Sequence, residues 1–242
     1  MNKIDTHIPY NPYTEGLLYP VLVDADIVAY SASFSKDVHS EDTAKDQVDK
    51  VIEYIKNGTS TIDIGQYSYF LTGKGNFRYD IVDDYKANRK NSNKPEYIGF
   101  VRDYIIDQYN AVVTEGQEAD DAIGIMATEL NYKCIIASVD KDFLQIPCWH
   151  YNTRRNEWYK PDEFEGLQHF YKQILTGDTV DNIKGIYKVG PKTAEKMLDS
   201  CKTEQELYET CVKAYDGSHE KVLENGRLLW LRRYEDELWS YR

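Results

Sequence analysis

The sequence predicts an α/β protein: a mostly parallel central sheet flanked by helices, followed by a C-terminal helical region. Three observations carry that reading. Short apolar, β-prone runs alternate with helical segments over the first 160 residues or so, the pattern of a parallel sheet. Acidic residues follow directly on three of the predicted strands. From about residue 161 the pattern turns helical throughout.

The elements follow in order. PVLVDA (20–25) is an apolar run ending in acid and predicts a buried strand. Residues 41–57 predict an amphipathic helix with Val48, Val51, Ile52 and Ile55 on one side and Gly58 after its end. QYSYFLT (66–72) is an aromatic, β-prone strand, and GKGNFR after it a glycine-rich turn. Residues 79–94 are polar and basic with little periodicity. Pro95 opens a helix to about 108, with Phe100, Tyr104 and Ile105 toward a core. AVVT (111–114) is a third strand. Residues 118–130 form a helix with Ile123, Met126, Ala127 and Leu130 inward, and KCIIAS (133–138) a fourth strand. Residues 148–160 suit a hairpin around Asn152 to Asn156. Helices are then expected at 161–176, 191–199, 203–215 and 219–233. The division is thus 1–160, an α/β core, and 161–242, a helical region.

Composition narrows the function classes. The 242 residues, 41% hydrophobic, suffice for a sizeable core. No run approaches the roughly 20 apolar residues of a membrane span, so no membrane partner is expected. MNKIDTHIPYNPY lacks an apolar h-region, so no signal peptide is expected either. Cys134, Cys148, Cys201 and Cys211 have no C-x-x-C spacing, and read as free thiols in a reducing cytoplasm. The net charge of −12 argues at first against a nucleic-acid partner. Yet the bases are concentrated in two strips, Arg78, Lys86, Arg89, Lys90 and Lys94, and Lys184, Lys188, Lys192 and Lys196. Bound divalent cations would also cancel negative charge locally.

In open parallel sheets, sites form outside the carboxyl ends of the strands. Asp24 and Asp26 close the first strand. Glu115, Glu118, Asp120 and Asp121 follow the third, and Asp140 and Asp142 the fourth. Asp178 and Asp181 stand i, i+3 in GDTVDN, so a helical turn would put them on one face. So many carboxylates converge only around a cation, because like charges disfavour ionisation. Hard oxygen ligands suit Mg²⁺ or Mn²⁺, and two such ions support in-line phosphoryl displacement. The blander alternative is helix N-capping, which acids at 118–121 also suit.

Two further segments suit nucleic acid. In GIYKVGPKTAEKML (185–198), Gly190 precedes Pro191 at a helix start. Free amides there, with Lys192 and Thr193, suit a phosphate; an ordinary packed helix pair is the alternative. RYDIVDDYKANRK (78–90) mixes tyrosines with bases, a composition for stacking and phosphate contact, or for a solvated loop.

Taken together, VDAD (23–26), GKGNFR (73–78), DYKANR (84–89), EADDA (118–122), SVDKD (138–142) and GDTVDNIKGIYKVGPKTA (177–194) resemble the 5′ nuclease superfamily. The chain is most similar to the bacteriophage 5′→3′ exonucleases and the 5′-nuclease domain of bacterial DNA polymerase one. The resemblance covers roughly 20–200; residues 1–19 and 200–242 match no motif. It implies a PIN-like core, a short arch segment near 79–95 and a helix-three-turn-helix at 183–198. It implies two Mg²⁺ (or Mn²⁺) ions, the first served by Asp24, Glu118, Asp120 and Asp121, the second by Asp140, Asp142, Asp178 and Asp181. Lys86 and Arg89 would touch the scissile phosphate, and Tyr85 would stack on the terminal base. Arg78, Lys188, Gly190, Lys192 and Thr193 would contact nucleic acid, with K⁺ at the helix-three-turn-helix. The implied substrate is DNA with a 5′ end or flap, with RNA–DNA hybrid as a second candidate. The implied setting is a monomer in the cytoplasm, that of a host bacterium if phage-encoded. Two departures matter. Thr72 stands where the family often has aspartate before its glycine turn, leaving Asp26 as a substitute. The arch is short, about ten residues from Lys86 to Pro95, which favours exonuclease action over flap threading. The competing readings are a PIN-type ribonuclease and a non-catalytic structure-specific DNA-binding protein on the same fold.

Overall fold

The computed structural model describes residues 18–60, 64–91 and 93–241; the N-terminal segment weighed above for a signal peptide lies outside them. A six-stranded sheet forms the centre, in the order β3-β2-β1-β4-β5-β6. Its strands are β1 (Tyr19–Asp24), β2 (Ile64–Thr72), β3 (Val112–Thr114), β4 (Ile135–Ser138), β5 (Trp149–Asn152) and β6 (Glu157–Tyr159). The first five pair in parallel, and β6 returns antiparallel to β5 as the expected hairpin. Strand order reverses at β1, so the crevice between β1 and β4 is the place where such sheets carry sites.

Alternation along each strand sorts residues to two faces. Val21, Val23, Leu71, Ile135 and Ala137 pack on one side against α1 (Ala25–Ser33), α2 (Glu41–Thr59) and α3 (Ile98–Tyr109). Leu22, Phe70 and Ile136 pack on the other against Ile123 and Ala127 of α4 (Ala119–Glu129). A third apolar cluster lies among α5 (Glu163–Thr176), α6 (Pro191–Leu198), α7 (Glu204–Ala214) and α8 (His219–Leu229). Side-chain capping sets several helix starts: Ser40 with Thr43, Asp162 with Glu165, and Thr203 with Glu206 each form a reciprocal box.

Three features differ from the expectation. Helix α1 was not foreseen, because no turn residue separates it from β1: Asp24 ends the strand and also caps the helix, accepting from the Ile27 amide at 3.3 Å. The helix opened by Pro95 begins only at Ile98 and closes on Asn110, which takes the left-handed conformation. The last helix ends at Leu229 rather than 233. Residues beyond it leave helical geometry and run back across the core.

His150 on β5 gives the fold a pH signature. It is 1% exposed, donates through Nε2 to the Ile146 carbonyl at 2.8 Å and stacks on Tyr159. Burial pushes its pKa down to about 4, below the ordinary value near 6.5 in the unfolded chain. The unfolded state therefore takes up a proton first. The contribution is complete above about pH 6.5 and is lost as pH falls toward 4. At pH 5 the loss is about 2 kcal/mol. His150→Gln keeps a donor for Ile146 and removes the titration. Urea midpoints at pH 5 and 7.5 should therefore differ less in the variant; an unchanged difference would rule the assignment out.

Candidate active site

The acids anticipated at strand ends do meet at the carboxyl edge of the sheet. Asp24 ends β1 and is 4% exposed. Its Oδ2 accepts from the Ser138 hydroxyl at 2.8 Å, and the same hydroxyl accepts from the Asp140 amide at 3.0 Å. Ser138 thus ties the ends of β1 and β4 together, a link that the S-x-D spacing of SVDKD could have suggested. Asp140 in turn accepts from the Asp142 amide at 2.9 Å, starting the 3₁₀ turn Lys141–Gln145. Asp120 lies in the first turn of α4, and Glu118 at its N-cap.

Asp178 ends β7 (Gly177–Asp178), which pairs antiparallel with β8 (Ile183–Lys184), and Asp181 lies in the turn between them. Gly177 has φ +66°, and its α-carbon lies so close to the facing Ile183–Gly185 backbone that no side chain fits. The 178–182 turn is not helical; Asp178 Oδ1 accepts from the Val180 amide at 2.7 Å. The charges of both acids still raise the Asp140 pKa.

Mutual repulsion marks the cluster. Desolvation, then Asp26 and later Asp140, pushes Asp24 up to about 7. Desolvation, then Asp140 and Asp178, takes Asp142 to about 7. Asp120 is raised well above the usual carboxylate range by desolvation and by Asp24, Asp140 and Glu118. Asp140 is raised too, by desolvation foremost and by Asp181 and Asp178. An all-oxygen set of carboxylates that resist ionisation in each other's company is the donor chemistry of a hard divalent cation. Among the described residues no three acidic, histidine or cysteine side chains already stand at metal-ligand spacing. Two of the carboxylates are engaged by bases instead.

Those bases are Lys86 and Arg89. Lys86 pairs with Glu118 and lies 3.4 Å from Asp181; Arg89 pairs with Asp181. Burial would lower the Lys86 ammonium, but Glu118 and Asp181 raise it, so it stays charged. The segment is zipped to the Asp178–Asp181 loop: the Lys86 amide donates to the Asp181 carbonyl, Asn88 to the Thr179 carbonyl and Asn182 to the Asp84 carbonyl. The side chain of Lys90 is outside the described set.

Four residues are placed differently from the expectation. Arg78, expected on nucleic acid, is 2% exposed. Its guanidinium forks onto Asp121 at 2.6 and 2.9 Å and reaches the Leu228 and Trp230 carbonyls. Tyr85, expected to stack on a base, is 3% exposed and donates its hydroxyl toward Asp181 at 3.0 Å and Glu118 at 3.2 Å. Burial leaves neither ring face nor guanidinium for a ligand. Asp121, expected on the first ion, is fully buried; burial would raise its pKa, but Arg78 holds it low. Asp26, the suggested stand-in for an acid at Thr72, instead pairs with Arg102 and accepts from the Thr72 amide. The Thr72 hydroxyl accepts from the Ala119 amide at 2.9 Å, bracing the start of α4.

Lys188, Gly190, Lys192 and Thr193 lie together and exposed at the start of α6, away from the core. Lys188 takes φ +63° and Tyr187 beside it is 85% exposed.

Likenesses to other proteins agree with this geometry. The chain is 35% identical over 145 residues to a DNA polymerase I of Rhizobium leguminosarum, covering 51% of this chain and 14% of that one. It is 30% identical over 159 residues to a 5′-3′ exonuclease of Buchnera aphidicola, covering 60% and 55%. A flap endonuclease Xni of Shewanella piezotolerans is 29% identical, covering 63% and 65%. The alignments thus span less than two thirds of each relative. In fold the chain is similar to the T5 D15 protein co-crystallised with metal ions, with TM-score 0.68, 16% identity, and 87% and 88% of the two chains covered. Residues 20–169, which carry the sheet and its strand-end acids from Asp24 to Asp142, match the family described as the 5′-3′ exonuclease, N-terminal resolvase-like domain, and the chain belongs to that family.

Proposed function

We propose that the protein is a divalent-metal-dependent 5′ nuclease that hydrolyses DNA phosphodiesters at or near a 5′ end. One observation carries this: acids from four separate segments share the β1–β4 crevice, with Lys86 and Arg89 set against them. Asp24, Glu118 and Asp120 would hold one Mg²⁺ (or Mn²⁺), and Asp140, Asp142, Asp178 and Asp181 a second. The two ions would supply neutralising charge and an activated water. Lys86 and Arg89 would exchange their carboxylate partners for the scissile phosphate, holding it in line. Tyr85 would fix the spacing between Glu118 and Asp181. Lys188, Lys192, Thr193 and the amides after Gly190 would grip the duplex backbone, with K⁺ nearby as the resemblance implies. The chain would work as a monomer in the cytoplasm. RNA–DNA hybrid is the second substrate to try, since these groups read phosphate rather than sugar.

The test is cleavage of 5′-labelled flap, blunt, nicked and hybrid substrates with Mg²⁺, resolved by product length. Products should shorten from the 5′ end, and a chelator should stop them. Cleavage that survives chelation, or begins at the 3′ end, would sink the reading. Duplex binding should also depend on salt. Each phosphate contact contributes about 0.9 to the log–log slope. Changing Lys188 and Lys192 to Ala together should flatten the slope by about 2. A PIN-type ribonuclease without this duplex grip would show no such change.

A further inference from the structure

The end of α8 and the segment after it touch both halves of the acid cluster, although they lie outside the matched domain and every motif. On one side, Asp121 is saturated. Its Oδ2 accepts from Arg78 at 2.6 Å and from the Glu118 amide at 3.2 Å. Its Oδ1 accepts from Arg78 at 2.9 Å and from the Arg232 amide at 3.2 Å. A carboxylate offers about four acceptor positions, and here four donors fill them, at zero exposure. Arg78 in turn is held by the carbonyls of Leu228 and Trp230. On the other side, Gln145 donates to the Leu229 carbonyl at 2.8 Å and accepts from the Leu231 amide at 3.3 Å. The same Gln145 amide donates to Gln173 Oε1 at 3.1 Å, and Gln173 donates to Asp142 Oδ1 at 2.6 Å.

We propose that residues 228–233 form a brace that fixes the spacing of the two carboxylate groups, acting through Arg78 and Asp121 on one and through Gln145 and Gln173 on the other. Asp121 is then a positioning residue and not an ion ligand. Its neighbours Glu118 and Asp120 sit on the turn that it caps, so its pairing with Arg78 sets where they point. Gln173 orients Asp142 and leaves its second oxygen for an ion. Groups that orient metal ligands in this way typically change metal affinity 10–100-fold when lost. The inference rests on the two-ion reading above.

Mn²⁺ titration of the folded, full-length protein without DNA tests it, by the paramagnetic signal of free Mn²⁺, well below each variant's melting temperature. The unmodified chain reports on the two-ion reading by itself: a count other than two counts against that reading, whatever the variants do. Gln173→Leu removes the bond to Asp142 and should weaken one Mn²⁺ site at least tenfold, leaving the other unchanged. Asp121→Asn keeps the shape and one acceptor oxygen. It should bind as many ions as the unmodified chain, at least one of them tenfold more weakly. A purely structural role would lower the melting temperature and leave ion affinity alone. Unchanged affinity in Gln173→Leu would overturn the brace. Outright loss of an ion in Asp121→Asn would overturn its assignment as a positioning residue. If Asp121→Asn does not fold, Gln173→Leu still decides the brace.

Discussion

Asp140→Asn should lower the cleavage rate by about 10³-fold, roughly 4 kcal/mol of barrier, while leaving the chain folded. Asp140 is the acid that most of the others face: Asp24, Asp120 and Asp142 each feel its charge, and it feels Asp178 and Asp181. On the two-ion reading, removing that charge takes a ligand of the second ion from the cleft. Asparagine keeps the oxygen that accepts from the Asp142 amide, so the local turn survives. Without divalent ions the variant has one fewer repelling charge. Its melting temperature in chelator should equal or exceed that of the unmodified chain. Added Mg²⁺ should stabilise it less, because a site that binds ion only in the folded state stabilises by mass action. Single-turnover cleavage and melting curves with and without Mg²⁺ check both halves. A rate within tenfold of the unmodified enzyme would place the chemistry elsewhere.

Lys86→Met should lower the rate by about 10²-fold and tighten Mn²⁺ binding at the same time. The ammonium pairs with Glu118 and Asp181, so it competes with a cation for those oxygens. Methionine retains much of the stem and its packing on the Tyr85 ring, where the ammonium now lies 5.1 Å from the centroid. On the proposed reading, losing a charge that holds the scissile phosphate costs rate; losing a competitor for the acids strengthens ion binding. The opposite directions are the signature. A slower enzyme with weaker ion binding would mean that Lys86 merely holds the cleft together.

How legible all this was in the sequence depended on distance along the chain. Strands β1 and β4 are short apolar runs closed by acid, and the sheet register puts Val23 beside Ala137, so the acids after them had to share an edge. The starts of α5 and α7 were legible because Asp162 and Thr203 cap them locally. The burial of Arg78 and Tyr85 is not legible from composition. The carbonyl that claims Arg78 Nε belongs to Leu228, 150 residues on, and Tyr85 meets Asp181 across 96. Gln173 carried no signal at all: on a helical face it is one more polar residue until Asp142 is placed against it. The pairing of Asp121 with Arg78 is hidden for a related reason. EADD offers three acids within four residues for one site, but consecutive positions on a helix point about 100° apart, and only the packed structure shows which one turns inward to Arg78.

The late position of the brace bears on how the protein comes into being. At about 5–20 residues per second, Arg232 is synthesised roughly 3–10 s after Asp181. During that interval every acid from Asp24 to Asp181 already exists, but nothing yet joins Asp121 to Arg232 or Gln145 to Leu229. Contacts spanning more than 80 residues also carry a loop-closure cost that delays them. A nascent chain should thus complete its sheet before its cutting edge, and the nuclease would be armed only once residues 228–233 have been added.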